Sequence, residues 1–215
     1  MNSIQVVDLA LTDYASAYAI QLSIHQACYR RENADTIVFQ ENYPVITVGR
    51  GSIDEHLLAS PHQLASAGIA VQPVDRGGDM SYHGPGQLVV SPILHLRDFN
   101  LTVHQYVRNL EEVVIRIMET YGIHCHRIDE YSGVWVGDEK IAATGIAVEH
   151  GITRHGISIN VNPDLSHFSY IVPCGIKEKG VTSMRKLGVE AIDLNRIKQD
   201  FIREFSQVFS TEIIQ

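Results

Sequence analysis

The most regular hydrophobic pattern in the chain lies between Val103 and Tyr121. Val103, Tyr106, Val107, Leu110, Val113, Val114, Ile117 and Tyr121 keep the helical period, which gathers them on one face of an α-helix over 103–121. Gly122 supplies the stop. A second stripe, Ile197, Phe201, Phe205 and Val208, predicts a terminal helix over 193–209. Near the start, Ala15, Tyr18, Ala19, Leu22 and Tyr29 share a face, with Thr12 standing as N-cap. Elsewhere the apolar residues come in short, β-branched runs that read as strands: 4–10, 36–41, 44–49, 69–75, 87–96 and 155–162. The runs 36–41 and 44–49 flank Asn42-Tyr43-Pro44 and predict a strand pair. GVWVGDEKIAATGIAV (133–148) predicts a hairpin turning near Gly137-Asp138. Short helical pieces fit 54–67, and 163–175 is irregular. Runs of strands with helices between and at the ends predict an α+β fold in a single domain over 1–215.

Composition narrows the class. The chain has 215 residues, 45% hydrophobic and 20% charged, which excludes disorder and fibrous repeats. No uncharged apolar run approaches the roughly 18–20 residues that cross a bilayer, so no membrane partner is expected. The first basic residue is Arg30, which leaves no charged n-region for a signal peptide. The chain is expected to be soluble and cytoplasmic. Its 17 basic and 25 acidic residues give a net charge of −8, which argues against nucleic acid as a partner.

Three cysteines, Cys28, Cys125 and Cys174, cannot make a disulfide framework. Cys28 lies inside an amphipathic helix and reads as a small buried hydrophobe. Cys125 stands in His124-Cys125-His126, where adjacent strand residues point to opposite faces, so no metal site is expected. Cys174 differs, because Pro173 fixes the backbone before it and Gly175 frees it after. Such a turn can hold a thiol at the rim of a pocket, or it can hold a thiol that is merely packed. An ordinary thiol is only ~3% ionised at neutral pH, so catalysis needs a nearby cation or base. Lys140, on the arm EKIAATG, is one candidate, although a strand lysine more often snorkels to the surface. His83 is the other, and the spacing does not choose between them. The segment RGGDMSYHGPG (76–86) concentrates glycines with Arg76 and His83. Such a loop brings backbone close to a ligand or simply connects two strands, and it matches neither common nucleotide-binding pattern.

Taken together, RGGDMSYHGPGQLV (76–89), GVWVGDEKIAATGIAV (133–148), HGISINVNPDLSHFSYIVPCGI (155–176) and GVTSM (180–184) resemble the lipoyl (octanoyl) transferase family, the octanoyl-acyl carrier protein:protein N-octanoyltransferases. YPVITVGRG (43–51) and the helix around Leu110 extend the resemblance over nearly the whole chain. It implies the fold of the biotin and lipoate protein ligase catalytic domains, a mixed β-sheet flanked by helices. It also implies that Cys174 is the acyl-accepting nucleophile and Lys140 its assisting lysine. Arg76, Gly77, Gly78, Asp79, Met80, Ser81, Tyr82 and His83 then fall on the loop that walls the acyl pocket. Ala143, Thr144 and Gly145 fall on a second pocket segment, and Gly156, Ile157 and Ser158 on a third. Where the family commonly has a larger apolar residue and alanine, this chain has Thr144 and Ser158, which add polarity to the acyl slot.

The activity implied is transfer of octanoyl from octanoyl-acyl carrier protein to a lysine of lipoyl domains, those of the 2-oxoacid dehydrogenase complexes and the glycine cleavage H protein. No cofactor and no metal are expected. Backbone N–H groups near Gly175 or in the RGG loop are candidates to hold the oxyanion. The basic segment 177–186 is a candidate dock for the carrier. Competing readings are an ATP-dependent lipoate ligase, a non-catalytic lipoyl or biotinyl binder and a thioesterase.

Overall fold

The computed structural model describes residues 3–175, 178–190 and 192–214, the Cys174 side chain excepted. In chain order the strands are β1 (Ser3–Thr12), β2 (Thr36–Asn42), β3 (Val45–Val48), β4 (Ala70–Pro73), β5 (Ser81–His83), β6 (Gln87–Ile93), β7 (His126–Ile128), β8 (Tyr131–Val136), β9 (Glu139–Glu149), β10 (Ile152–Asn160), β11 (Gly180–Val181) and β12 (Glu212–Ile214). The helices are α1 (Tyr14–Tyr29), α2 (Pro61–Ser66), α3 (Val103–Thr120) and α4 (Leu194–Phe209). The larger sheet runs β12-β1-β2-β6-β10-β9-β8-β7, with β11 beside β9, and a smaller one runs β4-β3-β5. Parallel pairs such as β1/β2 sit with antiparallel pairs such as β6/β10, so the sheet is mixed. The expected α+β architecture is present. No helix of the described residues is long and apolar enough to cross a membrane.

The two strong apolar stripes do what their period requires. Leu110, Val113, Val114 and Ile117 of α3 and Ile197, Phe201 and Phe205 of α4 bury against Ile37, Phe39, Leu88 and Ile159 on one face of the larger sheet. Thr102 opens α3 with a capping box, its hydroxyl accepting from the Gln105 N–H while the Gln105 side chain accepts from the Thr102 N–H. Strand alternation sends Val38 to the opposite face, where Cys28 of α1 packs on it.

Three expectations are corrected. The buried face of α1 is Tyr14, Ala17, Gln21, His25 and Cys28, rotated from the stripe Ala15, Tyr18, Ala19, Leu22 and Tyr29. The helix covers a polar part of the sheet, where Gln21 donates to Gln40 at 3.0 Å and Gln40 to Asn42 at 3.0 Å. Its cap is Asp13, whose carboxylate accepts from the Ser16 N–H at 2.8 Å, while Thr12 ends β1. Residues 36–41 and 44–49 do not pair: β2 lies between β1 and β6, and β3 between β4 and β5. The chain leaves one sheet for the other at Tyr43-Pro44, where the imino nitrogen has no hydrogen to give a ladder.

Candidate active site

The three expected pocket segments meet at the centre of the larger sheet. β9 and β10 pair in antiparallel register, setting Gly145 opposite Gly156, Thr144 opposite Ile157 and Ala143 opposite Ser158. Their turn is His150-Gly151, both at positive φ (54° and 79°). Gly156 has no room for a side chain, since a Cβ there would lie 2.1 Å from the Val90 carbonyl oxygen. Arg76 lies over Gly145 and ties the 76–80 loop to β3, donating to the Thr47 carbonyl at 3.1 Å, the Thr47 hydroxyl at 2.7 Å and the Asp79 carbonyl at 2.7 Å.

Between these segments lies a cavity of about 220 Å³. Arg76, Gly77, Gly78, Asp79, Met80, Ser81 and His83 line it, as do Ala143, Thr144, Gly145, Gly156, Ile157 and Ser158. Tyr82 does not. Alternation along β5 turns its ring into the small-sheet core, with Phe168 at its edge and its hydroxyl 2.7 Å from His167 Nδ1. The Thr144 hydroxyl and Gln21 Oε1 are buried without a hydrogen-bond partner among the described residues, so the slot is more polar than its segments suggest.

Lys140 is not a snorkelling surface residue. β9 is flanked by β8, β10 and β11 and buried over residues 140–142, which leaves Lys140 only 6% exposed. Its ammonium stands 4.6 Å from the centre of the Trp135 ring. The start of β8 beside it is held by the fully buried Glu111, which accepts the Gly133 N–H at 2.7 Å and an Arg108 bond at 3.0 Å. A second hollow, about 20 Å³, is lined by Lys140, Ser81, Ser158 and Pro173. Pro173 begins the Pro173–Gly175 turn that carries Cys174. The Cys174 side chain itself lies outside the described residues. The Gly175 N–H donates to Val172 and the Gly77 N–H to Ile146, so neither is open to an oxyanion.

His83 is buried, with Nδ1 at 2.6 Å from Gln87 Oε1 and Nε2 at 3.4 Å from the Thr47 hydroxyl. Burial pushes its imidazole down to about 4, so it is neutral at physiological pH. Burial pushes the thiols of Cys28 and Cys125 up to about 12, reinforced by Asp35 and Glu119 respectively. Neither is a thiolate at neutral pH. No group of three or more His, Cys, Asp or Glu among the described residues could hold a metal ion.

The sequence reading missed one polar cluster on this cavity. Asp75 accepts from the Tyr18 hydroxyl at 2.7 Å, from Arg154 at 2.5 Å and from His155 Nε2 at 2.7 Å. With Nε2 donating, His155 Nδ1 accepts from the Tyr14 hydroxyl at 3.3 Å, and Tyr14 and His155 both line the cavity. Burial alone would raise the Asp75 carboxyl, but the Tyr18 and His155 hydrogen bonds, with the charges of His155 and Arg154, outweigh it and bring it to about 2 from 3.8. A carboxyl depressed by folding contributes stability that is complete above its unfolded value and lost as pH falls toward its folded one. Asp75→Asn is therefore expected to cost about 1–3 kcal/mol near neutral pH. Thermal denaturation checks this, because the gap from the wild type should shrink steadily as pH falls from about 4 to about 2.

The model of the lipoyl protein ligase A/B catalytic domain matches residues 13–206. An octanoyltransferase of Solibacter usitatus is 47% identical over 206 residues, 96% of this chain and 93% of that protein. One of Alkaliphilus metalliredigens is 40% identical over 213 residues, 99% and 98% of the two chains. Among solved structures, lipoate-protein ligase A bound with ATP superposes with a TM-score of 0.76 at 16% identity, covering 100% of this chain and 87% of that one. Biotin protein ligase from Aquifex aeolicus gives 0.57 at 13%, covering 96% and 69%. These two likenesses concern the fold. The family model and the close relatives decide the rest: this chain belongs to the lipoyl protein ligase A/B catalytic-domain family.

Proposed function

We propose that the chain is an octanoyltransferase, acting as one catalytic unit over 1–215. It moves octanoyl from octanoyl-acyl carrier protein to a lysine ε-amine of a lipoyl domain through a thioester on Cys174. The observation that carries this reading is that the buried amine of Lys140 lines the same hollow as Pro173, the residue before Cys174. The names of the close relatives favour the same activity.

In the first step the Cys174 sulfur attacks the thioester carbonyl. A new C–S bond forms, the carrier's C–S bond breaks, and the carrier leaves as a thiol after taking a proton. One thioester replaces another, so no nucleotide is consumed. In the second step the neutral acceptor amine attacks the acyl-enzyme, an amide forms and Cys174 leaves as thiolate. As an ammonium, Lys140 favours the thiolate. As a neutral amine, it accepts the proton that the acceptor lysine loses. His83, neutral and hydrogen-bonded, serves as pocket wall and positions substrate. Arg76, Gly77 and Gly78 with 143–145 and 156–158 enclose the acyl chain, and Thr144 and Ser158 tune the length it accepts.

The partners are octanoyl-acyl carrier protein and the lipoyl domains of the 2-oxoacid dehydrogenase complexes and the glycine cleavage H protein, in the cytoplasm. The basic segment 177–186 is less positive than its sequence. Lys179 pairs with Asp138 and Lys186 with Glu139, Lys177 lies outside the described residues, and Arg185 is exposed. Docking of an acidic carrier there rests on Arg185. Arg185→Glu is expected to raise the carrier concentration for half-maximal rate about threefold or more, leaving a small octanoyl thioester unaffected. Equal effects on both substrates would remove the docking role.

The test of function is octanoyl transfer from the carrier to a purified lipoyl domain without ATP. Amide formation on the acceptor lysine is expected. A requirement for ATP would favour the ligase, release of free octanoate a thioesterase, and binding without turnover a non-catalytic module.

A further inference from the structure

Two side chains, His56 and Asp79, lie against Gly175 in the turn that carries Cys174. His56 ends a short 3₁₀ turn, Asp54–His56. Its carbonyl accepts from the Val172 N–H at 2.8 Å, Leu57 bridges Ile171, and the Leu58 N–H donates to Tyr170 at 2.8 Å. The 56–58 segment therefore runs alongside 170–172, the approach to the turn. The buried His56 ring donates from Nδ1 to Asp79 Oδ2. Asp79 is fixed from its own loop, where Oδ1 accepts from the Met80 N–H at 2.7 Å and its carbonyl accepts from Arg76 at 2.7 Å. Gly175 lies against both partners. A Cβ there would stand 2.7 Å from Asp79 Oδ2 and 3.2 Å from His56 Cε1, and its φ is +72°. Asp79 thus hydrogen-bonds His56 from the cavity wall, and both side chains lie against Gly175 of the turn.

We propose that His56 and Asp79 are positioning residues for Cys174. Their hydrogen-bonded pair braces the Pro173–Gly175 turn against Asp79 in the wall of the acyl cavity and so holds in place the backbone that carries Cys174. The proposal rests on the reading of Cys174 as nucleophile. The need for a brace follows from the turn itself. Gly175 is conformationally the freest residue type, and within the turn its N–H makes a single local bond to Val172 at 3.0 Å. A displacement of about 1 Å in a reacting group costs on the order of a hundredfold in rate. His56 and Asp79 act through the turn and touch no reacting atom.

The test is single-turnover acylation of the full chain by octanoyl-acyl carrier protein, followed by intact mass. His56→Leu and Asp79→Ala should each slow acylation about 10- to 100-fold while the half-saturating carrier concentration moves less than about twofold. His56→Asn puts an amide N–H near the place of Nδ1 and should stay within about fivefold of the wild type. The double variant should be no slower than the worse single one, because the two residues act as one unit. Acylation of folded His56→Leu within about twofold of wild type would overturn the proposal. So would equal slowing by His56→Asn and His56→Leu, or additive losses in the double variant. If His56→Leu does not fold, Asp79→Ala and His56→Asn decide. Cys174→Ala run alongside separates the two failures: turnover surviving it dismisses the nucleophile, whereas Cys174-dependent acylation indifferent to His56 dismisses only the brace.

Discussion

Cys174→Ala is expected to abolish the octanoyl adduct and to lower transfer to a lipoyl domain by at least about 10⁴-fold, as the loss of a covalent nucleophile does. The size of the effect follows from what remains. The described thiols, Cys28 and Cys125, are pushed up to about 12 by burial and cannot substitute at neutral pH. Direct attack of the acceptor amine on the carrier thioester would need both macromolecules at the cavity together. The stability of the variant should stay near that of the wild type, since alanine fits the same turn. Steady-state transfer and thermal denaturation on one preparation check both halves of the expectation.

The second large effect is expected at Lys140. Lys140→Met keeps an unbranched stem over Trp135 and removes the amine, so the fold should hold while turnover falls about 10²- to 10⁴-fold. Lys140→Arg divides the two roles. A guanidinium keeps the positive charge but does not give up its proton near neutral pH. Acylation by the carrier should therefore survive within about tenfold, while transfer to the acceptor lysine falls as far as in Lys140→Met. Rapid-quench measurement of the two half-reactions reads the difference. Equal loss in both steps would confine Lys140 to a single role, as base or as precisely placed donor, and would remove its part in stabilising the thiolate by charge alone.

What the chain's pattern made legible follows from where burial is apolar. α3 and α4 present Leu110, Ile117, Phe201 and Phe205 to an apolar sheet face, so their period alone locates them. α1 misleads because it buries Gln21 and His25 over a polar patch, and a stripe of apolar residues then marks the wrong face. β7, β11 and β12 are two or three residues long, too short for a period. They exist because neighbours such as β1 and β9 offer them an edge.

The site divides in the same way. The glycine-rich loop and the β9/β10 segments are legible as motifs, and the register of one hairpin brings the second and third together. Lys140 is legible as a candidate only, because its burial depends on strands arriving from elsewhere in the chain. The Asp75–His155–Tyr14 cluster joins residues 80 and 141 positions apart, and His56 meets Asp79 and Gly175 across two loops. No local spacing announces such contacts, because the sheet's crossovers create them. The one available signal was chemical: an aspartate directly before the RGG loop and a histidine directly before Gly156.

The most direct measurement is intact-mass and peptide analysis of the protein after brief incubation with octanoyl-acyl carrier protein in the absence of ATP. The mass of one octanoyl group should appear on the peptide containing Cys174, discharge when a lipoyl domain is added, and be absent from Cys174→Ala. An adduct that persists in Cys174→Ala, or transfer that proceeds without any adduct forming, would contradict a cysteine-borne acyl-enzyme.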